Sequence, residues 1–193
     1  MKLIYVRHGK TEFNKEGRFQ GQIDTELSAE GLAQAEKISS RLRDEKIDII
    51  YSSDLHRAQQ TTELIARHHS NVKIITTRDL TERDYGSLEG KKKTEVPKDA
   101  HLTVDDGESL DALFSRAEQL LEKTYNAHPS ETVLFSSHGR LGRALVCVIT
   151  GKKPENIYDE NLKNGSISIF EIKKEKDHRI HVFNCDKHLL TRP

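Results

Sequence analysis

The chain has 193 residues, enough for one sizeable hydrophobic core and few for two. Its 31 Lys and Arg residues balance 31 Asp and Glu residues, which excludes the basic excess of a general nucleic-acid or membrane-surface binder. Apolar residues at 34% and charged residues at 32% describe a hydrophilic but globular domain. Only two cysteines occur, Cys147 and Cys185, in neither a CxxC nor a zinc-ligand spacing, so no disulfide framework is expected. No run approaches the about 20 apolar residues of a membrane span. Arg7 interrupts the first apolar run too early for a signal-peptide core, and a reducing cytoplasm is the expected location.

Taken in chain order, residues 3–6 are apolar and β-rich and read as a buried strand. Residues 11–25, with Gly17 and Gly21, read as an active loop or an irregular helix. Ser28 is placed to cap a helix running to about Lys46, with Leu32, Ala35, Ile38 and Leu42 on one face. Residues 47–51 form a second strand, after which Ser52, Ser53 and Asp54 cap a helix through about His68. Residues 72–75 are a third strand. Leu110, Leu113, Phe114, Ala117, Leu120 and Leu121 make a 3.6-residue stripe for a helix starting near Glu108. Residues 132–137 are another buried strand, followed by a helix from about Gly139 to Thr150 that Gly151 and Pro154 stop; Cys147 is a buried thiol within it. Residues 167–172 alternate like a strand, with 179–184 as its partner or an edge, and 173–176 as a polar connection.

Alternating strands and helices predict an α/β fold, a three-layer sandwich with a mainly parallel central sheet and helices on both faces. Residues 1–193 are expected to form a single domain. In such folds ligands bind beyond the carboxyl ends of the strands. Three such ends carry basic or histidine side chains: Arg7-His8-Gly9, Ser52-Ser53-Asp54 with Arg57, and Ser137-His138-Gly139. Together they suit a phosphate-sized anion, because arginine supplies planar bidentate donors and helix N-termini add amides. Imidazole, with an ordinary pKa of about 6.5, can act as a neutral nucleophile or a cation near neutrality. On this chemistry alone either His8 or His138 could attack. Plainer roles compete: Arg57 could pair with Glu63, His68 and His69 could cap carbonyls, and Lys91, Lys92 and Lys93 could be a solvated turn.

The segments Val6-Arg7-His8-Gly9-Lys10-Thr11, Asn14, Gly21, residues 24–28 and Gly31 resemble the opening of the histidine phosphatase superfamily, the phosphoglycerate-mutase-like group. Residues 51–61, Glu82-Arg83-Asp84-Tyr85-Gly86, Gly107-Glu108-Ser109 and Ser136-Ser137-His138-Gly139 are similar to its later blocks. The pattern is closest to the short bacterial phosphatases of that group. The resemblance implies that His8 attacks phosphorus to form a phosphohistidine, with Arg7, Arg57 and His138 holding the equatorial oxygens. It implies that Glu82 protonates the leaving oxygen and then activates water, where a salt bridge to Arg83 is the plain alternative. Asn14, Gln20, Gly21 and Gly139 would help bind substrate. No metal and no cofactor are implied.

Three departures stand out. Lys10 replaces a frequent Glu or Gln and would make the pocket mouth more basic. Asp84 stands where many mutases carry His, and Arg140 follows His138-Gly139 as a substrate contact or a surface residue. The stretch between Tyr85 and Gly107, a variable lid near 85–107, is shorter than in the cofactor-dependent mutases. The expected activity is therefore metal-independent phosphomonoester hydrolysis, with a phosphoglycerate mutase and a non-catalytic phospholigand binder as alternatives. A small phosphorylated metabolite is the expected partner, with neither nucleic acid nor membrane. Its identity stays open, and the lysines favour one with a second anionic group.

Overall fold

The computed structural model describes residues 1–158 and 161–190. Strands β1 (Lys2–Arg7), β2 (Ile49–Ser53), β3 (Lys73–Thr77), β4 (Thr132–Ser137), β5 (Ile167–Glu171) and β6 (Arg179–Cys185) form one sheet in the order β3-β2-β4-β1-β5-β6. The first four run parallel; β5 and β6 are antiparallel additions at one edge, so the sheet is mostly parallel. The helices are α1 (Glu12–Glu16), α2 (Ala29–Leu42), α3 (His56–Ala66), α4 (Leu110–Ala127), α5 (Gly139–Thr150) and α6 (Lys187–Leu190).

Period-two alternation makes the layers. Leu3, Tyr5, Val133 and Phe135 join Leu113, Leu120, Leu141 and Leu145 from α4 and α5 in one core. Ile4, Val6, Ile50 and Leu134 point the other way, onto Ile38 and Leu42 of α2 and Ile65 of α3. Both faces of β1 and β4 are therefore covered, and these strands read as continuous apolar runs. The edge strand β3 differs: it begins at Lys73, and Ile74 is 44% exposed.

Several boundaries correct the sequence expectation. Helix α2 is capped by Ser28, whose hydroxyl accepts Gly31 N–H at 3.1 Å, but it ends at Leu42, its last apolar anchor. Leu32 lies outside the buried face; Gly31 takes the inner position, where an added Cβ would meet Lys10 O at 1.9 Å. Helix α3 stops at Ala66, short of His68, and the triplet 52–54 does not cap it. Its N-cap is Leu55, without a side-chain bond, and the Asp24 carboxylate reaches in to accept His56 N–H at 2.7 Å. Asp54 instead accepts the Thr81 hydroxyl at 2.6 Å. Helix α5 ends as expected at Gly151, in the left-handed conformation (φ 68°). No helix among the described residues is long and apolar enough to cross a membrane.

Candidate active site

The carboxyl ends of β1, β2 and β4 bring His8, Arg57 and His138 together, as parallel neighbours in register must. His8 is 1% exposed, and its Nδ1 lies 2.6 Å from Gly9 O. A carbonyl can only accept, so Nδ1 carries the proton and Nε2 keeps its lone pair. Burial, then the charges of Arg57 and Arg7, hold the His8 pKa well below the ordinary imidazole value. The ring is neutral at neutral pH.

His138 is fully buried, 5.1 Å from His8 between ring centroids and tilted by 59°. Its Nε2 is 2.8 Å from Ser53 Oγ, and its Nδ1 has no protein partner. Burial, Arg57 and His8 push its pKa well down. Arg57 does not pair with Glu63. It is buried and donates to Ile23 O at 2.9 Å and Gly21 O at 2.7 Å, with Nε left unpartnered. Burial lowers its pKa to about 10, so it stays charged at neutrality. Arg7 donates Nη1 to Leu162 O and also leaves Nε unpartnered. A Cβ at Gly139 would stand 3.0 Å from the Arg7 guanidinium carbon, so a larger residue there would crowd it. Buried donors without partners are costly in a native fold. Arg7 Nε and Arg57 Nε are thus unpartnered guanidinium donors suited to a tetrahedral oxyanion, and His138 Nδ1 joins them when the ring carries its proton there.

Glu82 lies on the stretch after the 3-10 turn Arg78–Leu80. Its carboxylate accepts N–H groups from Arg83 at 3.0 Å, Arg140 at 3.0 Å and Leu141 at 3.1 Å, the last two from the first turn of α5. It makes no salt bridge to Arg83, whose buried guanidinium donates to Glu108 O and His101 O instead. Asn14 forms a capping box with Thr11 on α1 and accepts from Asn164 Nδ2 at 3.0 Å. Gln20 Oε1 takes the Thr11 hydroxyl at 2.7 Å.

Arg7, His8, Asn14, Gln20, Gly21, Glu82 and Gly139 line one cavity of about 130 Å³. Arg57 and His138 are not in its lining but adjoin it, Arg57 through its bond to Gly21 O and His138 through the His8 ring. Arg18, Phe19, Tyr85, Lys93, Arg140 and Arg143 also line it. Arg140 is thus no free surface residue. The lysine run divides: Lys93 lines the cavity, whereas Lys91 and Lys92 do not. Lys10 adds nothing to the mouth; its ammonium pairs with Glu30 at 2.7 Å.

Sequence reasoning missed Arg143, Arg18 and Glu89. Arg143 was readable only as a residue three positions beyond Arg140, on the same side of α5. The Glu89 carboxylate accepts Gln22 N–H at 2.8 Å, Ile23 N–H at 3.1 Å and Tyr85 N–H at 3.1 Å. It ties the loop around Gly21 to the stretch that follows Glu82. Gly21 has φ 51°, and an added Cβ would stand 1.8 Å from Glu89 Oε1. Among the described residues no group of three or more His, Cys, Asp or Glu side chains could hold a metal ion.

A mostly parallel α/β sheet with buried arginines and imidazoles gathered at its carboxyl edge is the framework of a phosphoryl-handling enzyme. The histidine phosphatase superfamily (branch 1) matches residues 3–186, and the chain belongs to that superfamily. It is 34% identical to a metal-independent phosphoserine phosphatase of Arabidopsis thaliana, covering 90% of this chain and 77% of the relative. It is 33% identical to a 2,3-bisphosphoglycerate-dependent phosphoglycerate mutase of Brucella anthropi, over 88% and 91% of the two chains. The solved phosphoserine phosphatase of Entamoeba histolytica in complex with 3-phosphoglyceric acid superposes with a TM-score of 0.86. It shares 29% identity over 98% of this chain and 99% of that one. The chain is an enzyme of the phosphatase kind.

Proposed function

We propose that the protein is a cytoplasmic, metal-independent phosphomonoester hydrolase working through a phosphohistidine on His8, with a small phosphorylated metabolite as substrate. The observation that carries this reading is the neutral His8 ring, its Nε2 lone pair kept available by the Nδ1 contact to Gly9 O, in a site with two unpartnered buried arginine N–H donors and an unpartnered His138 Nδ1. Nε2 attacks phosphorus, and the bond from phosphorus to the ester oxygen breaks. Glu82 gives that oxygen its proton. Arg7, Arg57 and His138 hold the equatorial oxygens, where charge is spread in the transition state. Water then attacks the phosphohistidine, Glu82 takes a proton from it, and inorganic phosphate and neutral His8 are restored. Asn14, Gln20, Gly21 and Gly139 shape the walls.

The short segment 85–107 serves as a lid, and its small size favours water entry over retention of a bisphosphorylated intermediate. The cations Lys93, Arg140 and Arg143 favour a second reading, a mutase that holds another anionic group while phosphate is passed between hydroxyls. Rapid quenching with a labelled phosphomonoester distinguishes the readings. Hydrolysis through His8 gives an acid-labile, base-stable phosphoprotein and stoichiometric phosphate release, both lost in His8→Ala. Primer-dependent isomerisation of phosphoglycerate with little phosphate release would replace the hydrolase by the mutase. Undiminished turnover in His8→Ala would remove His8 from both.

A further inference from the structure

The cavity extends beyond its buried histidine floor to a partly exposed rim. Arg140 and Arg143, three apart on α5, lie on one side of that helix and both line the cavity with Lys93 and Arg18. The Arg140 side chain is held in place: Nε donates to Tyr85 Oη at 3.0 Å, and the guanidinium carbon stands 4.6 Å from the Tyr158 ring centroid. Its Nη1 is buried and has no partner. The Lys93 ammonium sits 5.8 Å from the Phe19 ring centroid.

Among the described lining residues, the cations are Arg7, Arg18, Lys93, Arg140 and Arg143, and the one acidic residue is Glu82. Three backbone amides already engage that carboxylate. Glu89 is likewise turned to backbone amides. Burial and the Arg140 charge push the Arg143 guanidinium down from its ordinary value, and burial with Arg7 and Arg140 does the same to Lys93. Arg18 is paired with Glu16, whereas among the described residues Lys93, Arg140 and Arg143 make no ion pair, and like charges gathered in this way lower the cost of placing an anion there.

We infer that this rim is a second anion subsite, with Arg140 and Arg143 as specificity-determining residues. The preferred substrate is then a short phosphomonoester that carries another anionic group and no ammonium. The inference deepens the hydrolase reading, on which it rests for the position of the phosphate. It sets this chain apart from relatives named for phosphoserine, because an ammonium would meet Lys93, Arg140 and Arg143 and a carboxylate that is already engaged.

Calorimetric binding to the His8→Ala protein tests it without dependence on turnover. Three esters of similar size serve as probes: 3-phosphoglycerate, O-phosphoserine and glycerol 3-phosphate. The carboxylate ester is expected to bind about ten- to a hundredfold more tightly than glycerol 3-phosphate, as charge-assisted contacts allow. Phosphoserine is expected to lose most of that advantage. Adding Arg140→Gln and Arg143→Gln should reduce the preference for 3-phosphoglycerate to about threefold or less, while glycerol 3-phosphate still binds. Arg143→Gln alone, which keeps the Arg140 contacts to Tyr85 and Tyr158, should lower the preference partway and serves if the double variant fails to fold. Equal affinity for the three esters, or a preference that survives loss of both arginines, would overturn the inference. Failure of the hydrolase reading looks different: the wild-type protein would release no phosphate from any ester while the ranking of affinities persisted.

Discussion

The floor and the rim of the cavity are built on different principles. Arg57, His8 and His138 are at most 1% exposed; His8 and His138 directly follow parallel strands, and Arg57 lies in the first turn of α3 just beyond a third. Their orientation comes from backbone carbonyls, the Ser53 hydroxyl and the packed sheet, so little is left to move. Arg18, Lys93, Arg140 and Arg143 are partly exposed, and two of the four come from irregular segments. The contrast separates chemistry from selection. On the proposed reading, a floor that binds any phosphoryl group belongs on the rigid sheet, while a part that distinguishes one ester from another sits where sequence can vary at small cost to the fold.

Glu82 lies between the two regions, and its replacement should have the largest effect. Glu82→Gln is expected to slow hydrolysis of alkyl phosphates by about 10²–10⁴-fold, the usual range for a lost general acid. p-Nitrophenyl phosphate, whose leaving group needs no proton, should lose far less in the phosphoryl-transfer step, read as a pre-steady-state burst. Equal losses for both esters would take proton donation away from Glu82.

Glu89 tests whether rim and floor are mechanically joined. Glu89→Ala removes the acceptor of three backbone amides, each worth about 1 kcal/mol or more to leave unpaired. Melting should fall by about 2–4 °C per kcal/mol lost. KM should rise more than kcat falls, because the loop over Gly21 loosens while His8 stays seated. A variant with wild-type melting and unchanged KM would show that the loop holds itself.

The smallest expected effect concerns pH. His8 and His138 have folded pKa values held well below the ordinary imidazole value. Between that value and the lower folded ones, the unfolded chain binds protons that the folded chain refuses. Their contribution is therefore fully present above about pH 6.5 and is lost as pH falls below it. Thermal melting of the free protein should drop from pH 7.5 to pH 5.5. His138→Asn, with one such group removed, should show a shallower slope. An unchanged slope would assign the acid sensitivity to other groups.

Much of this molecule was legible in its sequence. The strands at residues 3–6 and 132–137 and the stripe on α4 follow from local periodicity, which the core preserves. Arg7, His8, Arg57 and His138 could be marked because strand ends in a parallel sheet converge, and that rule needs no coordinates. The cap of α3 was misplaced for the opposite reason: Asp24 lies 32 positions from His56 and becomes its partner only when the loop folds over the helix. The same holds for Arg83, which belongs to His101 and Glu108 rather than to adjacent Glu82.

What sequence determined by itself is the layered α/β fold and the gathering of His8, Arg57 and His138 beyond the carboxyl ends of its strands, since both rest on short-range pattern and strand order. Tertiary structure alone decided that Glu82 caps α5, that Glu89 clamps the loop at Gly21, and that Lys93 joins Arg140 and Arg143 at one rim. These depend on contacts between distant segments, where charge and hydrogen bonding act through space and leave no local signal.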